Sequence, residues 1–214
     1  MFKPNFSLTL RHAAMALALG VACAGVASAQ TLHVELNTGA LALPPASTGF
    51  LDLQFNPAQV PASFASATIS HLSGFGDLSG VVLTGDVQQN AAGFVFGNTT
   101  DYNDLFQGIS FGGKVSFDVT FGGLSDASPT ALQSKFAVSL FGADGSTALG
   151  NFNPQDSTLM SITWQPTAGA GMLSSDITDR TIAGVSAVPE PSTWAMLGAG
   201  LALVGFARRR KLSA

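Results

Sequence analysis

Cysteine occurs once in the 214-residue chain, at Cys23, and histidine three times, at His12, His33 and His71. A chain this poor in both offers no disulfide framework and no cluster of soft ligands for a structural zinc site. Charge is scarce as well: charged side chains make up 10% of the sequence, with a formal net charge of −4. The balance is uneven, because residues 30–187 carry Glu35 and eleven aspartates against Lys114, Lys135 and Arg180, a net charge of −9. Such a surface repels phosphate backbones, so no nucleic-acid partner is expected. Residues 30–187 also lack any stretch with apolar positions at helical spacing, which argues against a bundle or an α/β domain.

The long apolar runs that do occur lie near the two ends. Lys3, Arg11 and His12 precede an apolar stretch from Ala13 to Val26, and Ala27-Ser28-Ala29 follows. That is the charged, apolar and small-x-small order of a secretory signal, so residues 1–29 are expected to be a signal helix. Signal peptidase would recognise Ala27 and Ala29, and the mature chain would begin near Gln30. A lipoprotein reading would use Gly20-Val21-Ala22-Cys23, but Gly20 stands where leucine is usual, and Ala27-Ser28-Ala29 is the better site. Either way, the exported domain contains no cysteine and must be held by packing.

At the other end, Val188-Pro189-Glu190-Pro191-Ser192 precedes an apolar run from Trp194 to Ala207 and the cluster Arg208-Arg209-Arg210-Lys211. Each proline fixes its own φ and pushes the preceding residue out of the α region, so this segment is stiff and extended. The apolar run has 14 residues, which is about 21 Å of helix against a hydrocarbon core of roughly 30 Å. It is a short single transmembrane helix, helped by Trp194 and the arginines snorkelling to the interfaces. The positive-inside rule places the four cations in the cytoplasm and Pro189 outside.

These residues resemble the PEP-CTERM sorting signal of Gram-negative bacteria, and the resemblance covers Val188 to Lys211 only. It implies that an exosortase in the inner membrane recognises and cleaves a tail spanning residues 188–214, with Pro189, Glu190 and Pro191 as the recognition element and Arg208, Arg209 and Arg210 as the stop. It further implies a transient inner-membrane intermediate, delivery to the cell surface or extracellular matrix, and an association with exopolysaccharide and biofilm. A plain C-terminal anchor is the alternative.

Residues 30–187 read as strands. Leu32, Val34 and Leu36 alternate with Thr31, His33 and Glu35; Leu51, Leu53 and Phe55 alternate with Phe50, Asp52 and Gln54. Val115 to Phe121 and Phe136 to Phe141 show the same period of two. Further strands are expected at 65–72, 80–87, 93–96, 105–111, 147–150, 159–164 and 177–185. Turn signals such as Asn56-Pro57, Gly112-Gly113 and Gly122-Gly123 separate them, and Asp144-Gly145 is the clearest hairpin tip. The pattern predicts an all-β domain, an antiparallel β-sandwich of jelly-roll-like kind. Pro166 to Ser175 is the most linker-like segment, and Ile182 to Val188 is expected to tether the last strand to the tail.

Several groups could carry chemistry. Gly108-Ile109-Ser110-Phe111-Gly112 fits a nucleophile elbow, yet that device needs a helix after the turn and another alternating strand follows instead. Neither His33 nor His71 is brought to Ser110 by the sequence, and His33, on the polar side of its strand, is expected to be exposed and idle. Asp101, Asn103 and Asp104 form the densest set of hard oxygen ligands, a weak calcium candidate whose alternative is an Asx-capped turn. Trp164, Tyr102 and Phe50 could form an aromatic platform for a sugar, although Trp164 stands in a run with Leu159 and Ile162 and reads first as core. No other metal, cofactor or catalytic constellation has the spacing its chemistry requires.

Two functions follow. One is a non-catalytic surface or matrix protein delivered by its tail. The other is a carbohydrate-binding module of the same fold, which an aromatic row on one sheet face would favour.

Overall fold

The alternation dictates the architecture, and a computed structural model describes residues 30–126, 128, 131–168, 171–188 and 198–201. The expected signal segment with Ala27 and Ala29 lies outside the described residues. So do Pro189, Glu190 and Pro191, most of the Trp194–Ala207 run, and Arg208, Arg209 and Arg210; residues 198–201 are helical. Among the described residues no helix is long and apolar enough to cross a membrane.

Twelve strands run in the order β1 (Gln30–Asn37), β2 (Thr48–Pro57), β3 (Ala65–Ser73), β4 (Val82–Thr84), β5 (Val87–Asn90), β6 (Gly93–Gly97), β7 (Asp104–Ser110), β8 (Lys114–Gly123), β9 (Ser134–Phe141), β10 (Met160–Gln165), β11 (Met172–Ile177) and β12 (Ala183–Ala187). They form two six-stranded antiparallel sheets. The first has the order β12-β1-β8-β3-β6-β5 and the second β11-β10-β9-β2-β7-β4. Successive strands from β1 to β4 change sheet at each step, and so do β6 to β9, which closes each sheet over the other.

The inward positions of both sheets meet in one core. Phe55, Phe94, Phe96, Phe117, Phe121 and Phe136 are fully buried. Phe136 of the second sheet packs edge-on against Phe96, Phe117 and Phe121 of the first, with ring centroids 6.0–6.2 Å apart. Edge-to-face pairs of this kind add about 0.5–1.5 kcal/mol each to area burial. In a domain without disulfides, this phenylalanine layer is the main tie between the sheets.

Five expectations need correction. The strand expected at 80–87 is two strands in different sheets: Gly85 at φ +73° and Asp86 carry the chain from β4 to β5. A Cβ at Gly85 would lie 2.1 Å from the Tyr102 carbonyl, so the crossing needs glycine. The strand expected at 177–185 is likewise broken. Asp179 accepts from the backbone N–H of Thr181 (3.0 Å) and of Asn151 (2.8 Å), which fixes the turn between β11 and β12. The linker-like segment 166–175 contains the start of β11, and the expected tether is itself strand β12, paired with β1 from Leu36↔Ala183 to Leu32↔Ala187. Finally, Thr147–Gly150 forms only a single bridge, Phe141↔Ala148, although Asp144-Gly145 does sit at the hairpin tip.

Candidate functional site

Period-two alternation sends Phe50, Asp52 and Gln54 of β2, Asp104, Phe106, Gly108 and Ser110 of β7, and Ser139 and Phe141 of β9 to the outer face of the second sheet. Register arranges them in ranks: Gly108, Phe50 and Phe141 lie opposite one another, and Phe106, Asp52 and Ser139 form the next rank. Phe50 and Phe106 stack with centroids 4.6 Å apart and planes 16° apart, and Phe141 leans on Phe106 at 6.2 Å. All three rings are half-buried. An aromatic row therefore crosses β9, β2 and β7.

Two loops rise beside this row. In the loop before β4, Phe75 is buried and packs edge-on against Phe117. The buried Gln107 amide donates to the carbonyls of Phe75 (3.3 Å) and Asp77 (2.9 Å), so the loop is held from below. On the other side, Asp144 accepts from the N–H groups of Ser146 (3.1 Å) and Thr147 (2.9 Å) and from the Thr147 hydroxyl (2.5 Å). Those bonds hold its carboxyl well below the usual carboxylate range and lock the β9 hairpin. Between the loops lies an open cleft of about 380 Å³, lined among others by Thr48, Phe50, Asp77, Gly108, Ser110 and Ala143. Asp77 is ionised, because hydrogen bonds from the Ser79 backbone and hydroxyl lower its pKa.

Next to the row, Asp52 and Asp104 are both more than nine-tenths buried. Burial, then the hydrogen bond to Asp52 and the charge on Asp52, push Asp104 up to about 8. Two carboxyls in a dry site cannot both ionise, so Asp104 keeps its proton and donates it to Asp52. Gln54 Nε2 donates to Asp52 Oδ2 at 2.8 Å. Tyr102 stands nearby; burial, then the charges of Asp104 and Asp52, raise its phenol pKa. Closed to solvent, the pair acts as a clamp between β2 and β7.

The residues singled out by sequence fall as follows. Asn103 is buried and its amide is engaged as a turn cap: it donates to the carbonyls of Phe55 (2.9 Å) and Thr100 (3.0 Å) and accepts from the N–H of Asp86 (2.7 Å) and from the Thr100 hydroxyl. Asp104 is committed to Asp52 and Asp101 is exposed, so the calcium candidate Asp101, Asn103 and Asp104 is divided among separate roles. Among the described residues no group of three or more acidic, histidine or cysteine side chains is placed to hold a metal. Trp164 is buried in the core and takes no part in a platform, while Tyr102 is exposed. Ser110 ends β7 on the cleft rim, and Gly112, at φ +97°, turns the chain straight into β8 with no helix.

The expectation that His33 is idle is overturned. Asp118, opposite His33 in the β1–β8 register, bonds His33 Nδ1 at 2.6 Å and His71 Nδ1 at 2.9 Å. A register shift in β3 places His71 there, at φ +52°. This cluster lies on the outer face of the first sheet, across the sandwich from Ser110, so neither histidine meets Ser110; His71 Nδ1 is instead 3.4 Å from the Ser70 hydroxyl. Phe106, Phe141 and Gly108 escaped the reading as a group, because only strand pairing makes them neighbours of Phe50. The available signal was glycine at an outward position of an otherwise alternating strand.

No curated protein and no solved structure gives a match to this chain. Residues 187–211 match the model of the PEP-CTERM protein-sorting motif. Such a motif implies export, a membrane-anchored sorting intermediate and processing by an exosortase. The chain thus carries, immediately after the last strand of an antiparallel β-sandwich, a PEP-CTERM protein-sorting motif.

Proposed function

We propose that this is an exported, exosortase-sorted, non-catalytic protein of the cell surface or extracellular matrix, associated with exopolysaccharide and biofilm. One observation carries the reading: the sorting motif begins where the sandwich closes. The Val188 N–H donates to the Thr31 carbonyl at 3.1 Å, one residue before Pro189. Gln30, the first residue after the expected signal cleavage, opens β1 beside it, since Leu32 pairs with Ala187. Both expected processing points therefore lie at one end of the first sheet, and cutting at both removes no strand. The strand order β1-β8-β3-β6 against β2-β7-β4 supports a jelly-roll-like cargo, with β5 moved to the first sheet and β9 to β12 added at the edges.

Replacing Pro189 and Pro191 together by alanine tests this directly. The double variant is expected to be exported and then retained in the inner membrane with its tail attached, as seen by fractionation and immunoblotting. Normal release would remove the tripeptide from the sorting step.

The second reading, a carbohydrate-binding module, is favoured by the row of Phe50, Phe106 and Phe141 on one outer face. Flat apolar rings offer stacking area to the C–H faces of sugar rings, and a rigid sandwich holds them in place.

A further inference from the structure

We infer that the cleft between the β3–β4 loop and the β9 hairpin is a binding site for a neutral hexopyranose residue of an extracellular polysaccharide. The inference rests on the carbohydrate-binding reading and assigns it a place and a ligand class. Its starting point is Gly108. This residue sits toward the end of β7, opposite Phe50 of β2 and past Phe106, where the pairing with β4 stops, with its Cα facing outward and exposed. A glycine inside a strand costs about 0.5–1 kcal/mol relative to alanine and marks places where a ligand or another backbone comes close. No backbone requires it here, because a Cβ built at Gly108 meets only the Phe50 ring edge, at 3.9 Å. What the missing side chain leaves uncovered is the side of Phe50 that lines the cleft.

Phe50 is supported for this role. Phe106 is stacked on it, and a Cβ at Gly145 would lie 3.6 Å from its opposite edge, so ring and hairpin tip brace each other. The walls are fixed before any ligand arrives, one by Gln107 and the other by Asp144. Around the ring stand the Thr48 and Ser110 hydroxyls and the ionised Asp77 carboxylate, which together donate and accept hydrogen bonds as sugar hydroxyls need. An apolar face ringed by a few fixed polar groups fits a pyranose. Asp77 and the net charge of −9 on residues 30–187 disfavour uronate or sulfated polymers, which narrows the class to neutral sugars.

The test is calorimetric titration of the full-length protein, in a zwitterionic detergent, with maltohexaose, cellohexaose and mannohexaose, and with an oligomannuronate of equal length. At least one neutral hexasaccharide is expected to bind, and Phe50→Ala and Gly108→Leu are each expected to weaken it about tenfold or more. Gly108→Leu is the sharper variant, since the added side chain has room and should occupy the cleft without unfolding the sheet; thermal melting checks this. His71→Ala, on the opposite face, is expected to bind as the parent does. If none of the three neutral sugars binds at roughly 10 mM, the proposal is overturned. Tighter binding of the oligomannuronate would overturn the ligand class. If a neutral sugar binds and folded Gly108→Leu binds it equally, carbohydrate binding stands but this cleft is excluded as its seat.

Discussion

On the outer face of the first sheet, Thr31, Thr120 and Thr68 stand side by side across β1, β8 and β3, with Asp118 bridging His33 and His71 in the next rank. On the second sheet the facing ranks hold Phe141, Phe50 and Gly108, with Ser139, Asp52 and Phe106 beside them. Both faces come from the same alternation over the same phenylalanine core. The first remains a half-exposed lawn of short polar side chains. The second buries two carboxyls, stacks aromatic rings and is flanked by two braced loops. Polar alternation alone gives a solvated face; the features that suggest recognition appear only where aromatic residues, an outward glycine and anchored loops coincide.

The comparison can be broken from the core outward. Phe136→Ala removes the ring that ties the sheets together and is expected to destabilise both faces by about 3–5 kcal/mol in urea denaturation. A loss confined to one sheet, detected by hydrogen exchange, would mean that the faces do not share one core. The Asp52–Asp104 clamp of the second sheet should make stability depend on pH. The folded state keeps a proton on Asp104 up to about pH 8, whereas the unfolded chain releases it near 3.8. Stability should therefore be greatest below pH 4 as far as this group is concerned, and fall as pH rises toward 8, by on the order of a few kcal/mol. Asp104→Asn should flatten that fall in denaturation curves taken between about pH 4 and 8, the window the two values bracket.

Smaller effects sharpen the contrast. Phe50→Ala takes a half-buried stacked ring from the second face and should cost roughly 1–2 kcal/mol by thermal melting. His33→Ala and His71→Ala each remove one of two partners of the partly buried Asp118 carboxylate and should each cost about 1 kcal/mol or less. Equal costs for Phe50 and His71 would erase the distinction between a built face and a solvated one.

Much of this was legible in advance. Leu51, Leu53 and Phe55, or Val115, Phe117, Val119 and Phe121, state which side of their strands is buried, because a period of two has one inward set. The sheet changes at Gly85-Asp86 and at Asp179 were not legible, since a run of strand-forming residues does not say when the chain crosses to the other sheet. The Asp52–Asp104 pair and the His33–Asp118–His71 cluster were hidden for a related reason: each joins residues 38 to 85 positions apart that only register brings together. The sorting motif was legible throughout, being a contiguous segment whose parts act through local stiffness, apolarity and charge.

The account depends most on a self-contained β cargo carrying a removable tail, and intact-mass measurement of the protein recovered from its native host tests that directly. A mass corresponding to a chain that begins near Gln30 and ends upstream of Arg208 is predicted. A mass equal to the full 21.8 kDa chain, with both ends retained, would contradict it.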